Sequence, residues 1–337
     1  MGSSPANAAT LPAPEFLARF RAAADANGTM TFERFMALAL YAETVGYYRR
    51  DQKRVGREAG TDFYTATSAG PLFGELIAHA CVTLAGAETC ARSTFVEIGA
   101  EPGRGILAEA PHPFAAVRTI RIGEPLNLSG PLVVFSNELF DAQPCRRLVH
   151  RSGVWRELGV TETNGRLREI ELPLSAPADF LPATAPEGYH FDAPCAASTL
   201  LQTVARQPWQ GLFIACDYGK SLVELSLDTP QGTARAYHRH TQSIDLLARP
   251  GEQDLTCHVC WDWLSAELQR AGFEGVELLS QESFFVHHGA SLLAETAERE
   301  ATRLSQRKLA LMQLIHPSHL GQKFQVLHGR REHAKEI

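Results

Sequence analysis

Two carboxylates and an amide follow an apolar run in the block Phe135-Ser136-Asn137-Glu138-Leu139-Phe140-Asp141-Ala142-Gln143-Pro144. The run before them, Leu132-Val133-Val134-Phe135, reads as a strand. In an α/β sheet the carboxyl ends of the strands open onto the ligand crevice. Polar groups of this kind are costly to bury unpaired, so the block suggests a polar or cationic ligand. A structural reading competes with it: Asn137 as a helix N-cap, with Glu138 and Asp141 favouring the helix N-terminus. A third acid, Asp217 of Asp217-Tyr218-Gly219, closes the apolar run Leu212-Phe213-Ile214-Ala215-Cys216.

A glycine motif lies upstream. Thr94-Phe95-Val96-Glu97-Ile98-Gly99-Ala100-Glu101-Pro102-Gly103-Arg104-Gly105 runs from a β-rich segment through an acid into three glycines, and Ile106-Leu107-Ala108-Glu109-Ala110 is compatible with a helix. Glycine lets the backbone approach a ligand and adopt positive φ. The free N–H groups of a following helix would then face the ligand. Strand, acid and Gly-x-Gly together point to a nucleotide-type cofactor, although a glycine loop alone is weak evidence.

Composition narrows the classes. The chain has 337 residues, enough for a large core and one or two domains, with 45% apolar and 21% charged residues. Its net charge of −6 argues against general nucleic-acid binding, which needs clustered basic residues. No apolar stretch approaches a membrane span, and Met1 to Pro14 lacks the pattern of a secretory signal; residues 1–14 read as a disordered tail of a cytoplasmic protein. Seven irregularly spaced cysteines do not form a secreted disulfide framework. Cys257-His258-Val259-Cys260 could be half of a zinc site, but no second half completes it. Neither His287-His288 nor His238-Arg239-His240 has the i, i+4 spacing of a helical ligand pair, so no structural metal is expected.

The elements that must position these groups alternate. Residues 15–26, 31–42 and 70–88 read as helices, followed by a strand at 94–98, a short helix near 104–110 and strands at 117–122 and 132–135. β segments at 146–150, 154–160 and 167–172 follow, with Asn164-Gly165 as a hairpin turn. A helix over 196–206 and the strand 212–216 precede a loop over 220–232. A helix over 259–271, a strand at 276–279, a long helix over 290–314 and a strand at 323–328 close the chain. This alternation predicts a Rossmann-type α/β sheet. The expected organisation is an N-terminal helical lobe over 15–90 and a sheet domain over 91–337, with insertions around 146–195 and 220–258.

In this order and spacing the chain resembles the MidA-like class I S-adenosylmethionine-dependent methyltransferases, relatives of the mitochondrial complex I assembly arginine methyltransferase. The matching segments run from about residue 30 to 328. They include Phe35-Met36, Gly46-Tyr47-Tyr48, Asp62-Phe63-Tyr64-Thr65, Leu72-Phe73-Gly74 and Glu97-x-Gly99 with Gly103-x-Gly105. Further on are Asn137-Glu138-x-Phe140-Asp141-Ala142-x-Pro144, Asp217-Tyr218-Gly219, Gly251-Glu252-x-Asp254-Leu255-Thr256-x-His258-Val259 and Gly321-x-x-Phe324-x-Val326-Leu327. The departures are specific. Ala100-Glu101 are two extra residues in the glycine motif, and Thr67-Ser68-Ala69-Gly70 replaces the usual Pro-Glu. Gly105 and Asn137 are only 32 positions apart, where the family fits a longer helix, strand, helix and strand. The sheet is therefore expected to be shortened between its first and fourth strands.

The resemblance implies S-adenosylmethionine as cofactor and a protein substrate, with arginine as methyl acceptor. Glu97, Gly99, Gly103, Gly105 and Asn137 are the cofactor-site candidates. Glu124, 19 positions after Gly105, is either the acid that holds the ribose or a loop acid before Pro125. A planar guanidinium needs carboxylates to orient it. Glu138 is assigned to that task. Asp141, about one helical turn away, shares the pocket or caps the helix, and Asp217 is a further catalytic candidate. His258 is a base or a hydrogen-bonding core residue. Two other functions remain open: a degenerate binding or assembly factor that kept the fold, and a nicotinamide-dependent oxidoreductase. The glycine spacing does not fit Gly-x-Gly-x-x-Gly, which counts against the last.

Overall fold

Three apolar segments pair in parallel at the centre of the molecule, and a fourth strand joins them at the edge. In the computed structural model, which describes residues 11–50, 70–100, 105–302 and 305–332, they belong to a six-stranded sheet. Its spatial order is Glu274–Ser280, Gln325–Arg331, Trp209–Asp217, Gly130–Asn137, Thr94–Ile98 and Ala116–Ile120. The last four are mutually parallel, and Gln325–Arg331 runs antiparallel to both of its neighbours. Side chains alternate between the two faces. Phe95, Val133, Phe135, Leu212 and Ile214 pack under the helices Pro71–Ala85, Gln281–His288 and Gln306–Ile315. Val96, Val134, Phe213 and Ala215 pack under Cys195–Ala205 and Trp261–Arg270. With both faces covered, the central strands can be continuously apolar, as their sequences are.

The sheet has the expected shortening. From the edge strand Ala116–Ile120 the chain passes through residues 121–129, without helix or strand, directly into Gly130–Asn137. The helix expected near 104–110 does not form in the described part of that interval; residues 105–110 are turns and bends. Pro111 and Pro113 leave too few residues between Gly105 and the prolines for a cooperative helix.

A second, antiparallel sheet is built mainly from the expected insertion. Val154–Thr163 pairs with Arg146–Arg151 and Arg166–Leu172, and Arg146–Arg151 pairs with His190–Ala193. The Asn164-Gly165 turn has positive φ at both residues, 53° and 78°, as the hairpin reading requires. The N-terminal region adds the strand Thr29–Thr31 to this sheet, with Met30 opposite Val160. Thr31 then caps the helix Phe32–Tyr41 by accepting from the Arg34 amide. Phe16, Phe35, Met36 and Tyr47 share one core with Cys145, Val160 and Leu255. The expected 15–90 lobe is thus divided: residues up to 49 pack on the second sheet, whereas Pro71–Ala85 belongs to the main one.

Two further expectations are corrected. The 220–232 segment contains the helix Leu222–Leu227, started by a Ser221/Glu224 capping box. The long helix expected over 290–314 is broken into Ala290–Arg299 and Gln306–Ile315, the second capped by Ser305. A three-stranded ribbon, Arg235–His238 with Thr241–Ser243 and Asp254–Thr256, places Asp254 opposite Tyr237.

Candidate active site

Asn137 pairs with Cys216 in the parallel register of Gly130–Asn137 and Trp209–Asp217, so the two acidic motifs emerge at one sheet edge. Glu138 follows at φ +50°, its amide donating to the Cys216 carbonyl at 2.9 Å. No helix begins here, contrary to the N-cap reading of Asn137. Tertiary acceptors take the place of helical ones. One oxygen of Asp217 accepts from the amides of Phe140 (2.9 Å) and Asp141 (3.3 Å), and the other accepts from Tyr218 (2.9 Å). The Asp141 carbonyl in turn accepts from the Cys257 amide at 2.8 Å. Glu138 and Asp141 are therefore not one helical turn apart. Asp217 is wholly buried beneath the loop and anchors its backbone.

The acids differ in environment. Glu138 is half-buried, and its carboxylate accepts from the Asn137 side-chain amide at 3.0 Å. Asp141 is 3% exposed; burial pushes its pKa up to about 6 against a hydrogen bond from Tyr218. Burial, and then the charge of Asp141, push Asp217 well above the ordinary range despite its backbone donors. Tyrosines surround these acids. Tyr48 donates to Asp254 at 3.0 Å and Tyr41 donates to the Ala142 carbonyl at 2.7 Å, with their rings stacked at 5.6 Å. Burial raises the pKa of Tyr41, Tyr48 and Tyr218, so all three remain neutral donors. Carboxylates beside aromatic faces suit a cation.

Several buried polar atoms around this edge have no hydrogen-bond partner among the described residues: Ser136 Oγ, Asn137 Oδ1, Asp141 Oδ1 and His258 Nδ1. Such atoms are uncommon unless a ligand or water meets them. His258 stands 5.5 Å from the Tyr218 ring. Burial, then the positive charges of Lys220 and Arg235, lower its pKa to about 4, which keeps the imidazole neutral at pH 7. The hydrogen-bonding core reading is not met at Nδ1.

The glycine motif is held from two sides. Glu97 is 5% exposed and accepts from the Ile106 amide at 2.8 Å; burial raises its pKa to about 7. Gly99 has φ +83°, and a Cβ there would lie 2.9 Å from Leu139 Cδ1. A Cβ on Gly105 would meet the Glu97 carboxylate at 2.8 Å and Thr119 at 2.9 Å. Gly74 touches the same segment from the other side, since its Cβ would stand 2.1 Å from the Ile106 carbonyl oxygen. Gly103 and Asp62-Phe63-Tyr64-Thr65 lie outside the described residues. Because turns replace the expected helix, residues 105–110 provide no helix N-terminus for a ligand. Glu124 is exposed and accepts from the Arg121 amide at 2.8 Å within a local turn.

The structure thus brings Asn137, Glu138, Asp141 and Asp217 to one edge, next to the strand that carries Glu97 and Gly99. Sequence reasoning gave Tyr41, Tyr48, Tyr218 and Asp254 no role. Their signal was present in Gly46-Tyr47-Tyr48, Asp217-Tyr218-Gly219 and the Asp254 block, but nothing local ties these segments together.

Known proteins resemble this chain in sequence and in fold. The family described as "Putative S-adenosyl-L-methionine-dependent methyltransferase" matches residues 117–277. A crystal structure of a Burkholderia thailandensis protein, described as a methyl transferase candidate and bound to S-adenosyl-homocysteine, superimposes with a TM-score of 0.80. It shares 26% identity over 97% of this chain and 96% of its own. These similarities support a methyltransferase of the MidA-like class. A native crystal structure of an uncharacterized protein of that superfamily, also from Burkholderia thailandensis, gives a TM-score of 0.76 at 26% identity, covering 96% and 95% of the two chains. No curated protein matches this chain. No helix among its described residues is long and apolar enough to cross a membrane.

Proposed function

We propose that the protein transfers the methyl group of S-adenosylmethionine to a cationic acceptor, the guanidinium of a protein arginine, in the cytoplasm. The observation that carries this reading is Glu138. It is a half-buried carboxylate braced by Asn137 at the strand edge, in a loop anchored by Asp217 and joined to the Tyr41–Tyr48 stack through the Ala142 carbonyl. The cofactor belongs beside Glu97, Gly99, Gly103, Gly105 and Asn137, with Glu124 as the acid for the ribose. The S-adenosyl-homocysteine in the Burkholderia thailandensis relative supports that choice. So do the unpartnered Ser136 and Asn137 oxygens and the two glycines whose Cβ positions are blocked.

The cofactor supplies an electrophilic methyl group. The protein's task is to hold the acceptor nitrogen in line with it at near-attack distance. Glu138 orients the guanidinium by charge-assisted hydrogen bonds. The Cys216 carbonyl and the Asn137 side chain hold Glu138 in place, Asp217 anchors the loop that follows, and the buried Asp141 and Asp254 add negative charge behind it. The neutral tyrosines donate to acceptors without adding charge.

One observation favours a second reading, a binding or assembly factor without catalysis: among the described residues no helix follows the glycine motif where a methyltransferase would carry one. That absence also counts against a nicotinamide enzyme, whose pyrophosphate needs such a helix N-terminus. Calorimetric titration with S-adenosyl-homocysteine and NAD, followed by methyl transfer from labelled S-adenosylmethionine to a protein extract, decides among the three. Binding of S-adenosyl-homocysteine with labelling of arginine supports the enzyme. Binding without any labelling supports the binding factor, and binding of NAD alone supports the oxidoreductase.

A further inference from the structure

Three potential metal ligands meet away from the crevice, at the edge-strand side of Gln325–Arg331. Glu277 of the edge strand Glu274–Ser280 is directly opposite His328 in the antiparallel register. His288 closes the helix Gln281–His288, which covers this end of the sheet. One ligand atom from each residue lies within 4.8 Å of the other two, and His328 Nε2 is 3.5 Å from Glu277 Oε2. The Nε2 atoms of His288 and His328 are both buried and make no hydrogen bond among the described residues. His328 itself is only 4% exposed.

We propose that Glu277, His288 and His328 bind a divalent transition-metal ion, zinc by the character of the donors. Two imidazole nitrogens and one carboxylate oxygen match zinc, whereas magnesium and calcium favour oxygen-only shells. Tetrahedral zinc with these ligands needs donor separations of about 3.3 Å, so modest side-chain rotation closes the site. The surroundings favour such a site. Phe284 lies 5.1 Å from the His288 ring and 5.7 Å from the His328 ring, giving both imidazoles an apolar flank. The main chain at His288 is held by Thr83, whose hydroxyl donates to its carbonyl at 2.9 Å. Glu277 is largely exposed, which leaves a fourth position to water or another ligand.

The sequence reading discounted His287-His288 because neither residue has a second histidine at i+4. The partner comes instead from a strand 40 positions further along the chain, His328. The site is not part of the methyl-transfer crevice. Gln325 pairs with Asp217 at the crevice edge, and His328 is three residues further down the strand, roughly 10 Å away. A metal there would clamp the edge strand, its antiparallel neighbour and the covering helix together.

The test uses the full, untagged, metal-stripped chain titrated with Zn²⁺ against a chromophoric competitor. A parallel titration with Co²⁺ reads the visible absorption of a tetrahedral site. One equivalent of zinc should bind, raising the melting temperature. His288→Ala and Glu277→Gln should each weaken binding by at least about tenfold, the lower end of what even outer-shell changes cost metal sites. Both variants alter partly or largely exposed side chains, so the result does not depend on the buried His328. Absence of saturable zinc binding overturns the proposal. So does wild-type affinity in both variants, or loss of binding in Cys257→Ser while both variants bind normally.

Discussion

The two halves of the main sheet solve the problem of holding a loop at a strand end in opposite ways. On the Glu97 side the connections are stripped down. The chain passes from Thr94–Ile98 to Ala116–Ile120 and on to Gly130–Asn137 without a helix among the described residues. One buried carboxyl and glycine contacts position what remains. On the Glu138 side the loop is embedded. Asp217, Cys257, Tyr41 and the second sheet all reach it, and each contact comes from a different part of the chain. A loop can therefore be fixed by close backbone packing or by a network of distant hydrogen bonds, and the two leave different signatures when disturbed.

The largest disturbance is expected in the embedded half. Asp217→Ala removes the acceptor of two buried amides and one partly buried amide. Unpaired buried donors cost about 1–3 kcal/mol each, so a loss on the order of 4 kcal/mol is expected in denaturant unfolding. A loss below about 1 kcal/mol would mean that the loop is held by other contacts. The stripped half should respond to pH. Glu97 has its pKa raised from 4.5 to about 7, so the folded state holds its proton more tightly than the unfolded state. Its contribution to stability is full below pH 4.5 and declines as pH rises to about 7, by up to roughly 3 kcal/mol. Glu97→Gln should therefore gain on wild type between pH 4.5 and pH 8. A constant stability difference across that range would contradict the assignment.

Gly74→Ala comes next. Its new methyl group would collide with the Ile106 carbonyl, at an overpacking cost of about 2 kcal/mol. The displaced 105–110 turn should also weaken binding of S-adenosyl-homocysteine, measured by calorimetry. Unchanged affinity would separate this turn from the cofactor site. Glu138→Gln should leave the melting temperature and cofactor affinity near wild type while lowering methyl transfer by about 1.5–3 kcal/mol in transition-state free energy. Transfer at the wild-type rate would remove Glu138 from substrate orientation. The smallest effect belongs to Glu124. It is exposed in a local turn, so Glu124→Gln should change stability by no more than about 0.5 kcal/mol. If it holds the ribose, cofactor affinity should fall by several-fold or more; no change leaves it a turn residue.

Much of the sheet was legible because its signals are local. Apolar runs of the right length marked Thr94–Ile98, Gly130–Asn137 and Trp209–Asp217, and Asn164-Gly165 marked its own hairpin. The missing strand was legible from the 32 positions between Gly105 and Asn137 and from Pro111 and Pro113. Local signals failed where two structures shared one pattern. Asn137-Glu138-x-x-Asp141 has the composition of a helix start, and the acceptor that prevents the helix, Asp217, is 80 positions from Asn137. The Ser221/Glu224 capping box, by contrast, was a local signal that the loop reading passed over.

By itself, the sequence determined the apolar runs that become the central strands and where acids must emerge from the sheet, but not the short strands Thr29–Thr31, His190–Ala193 and Arg235–His238. Those properties follow from side-chain chemistry at a period of two and from the backbone limits of proline and glycine. Only the tertiary structure decided what those acids do. Burial separated Asp217, an anchor for backbone amides, from Glu138, a carboxylate left at the crevice. Sheet register brought His328 opposite Glu277, and the covering helix brought His288 to both. The role of a polar group depends on its exposure and on partners that may be a hundred residues distant, and chain folding alone sets both.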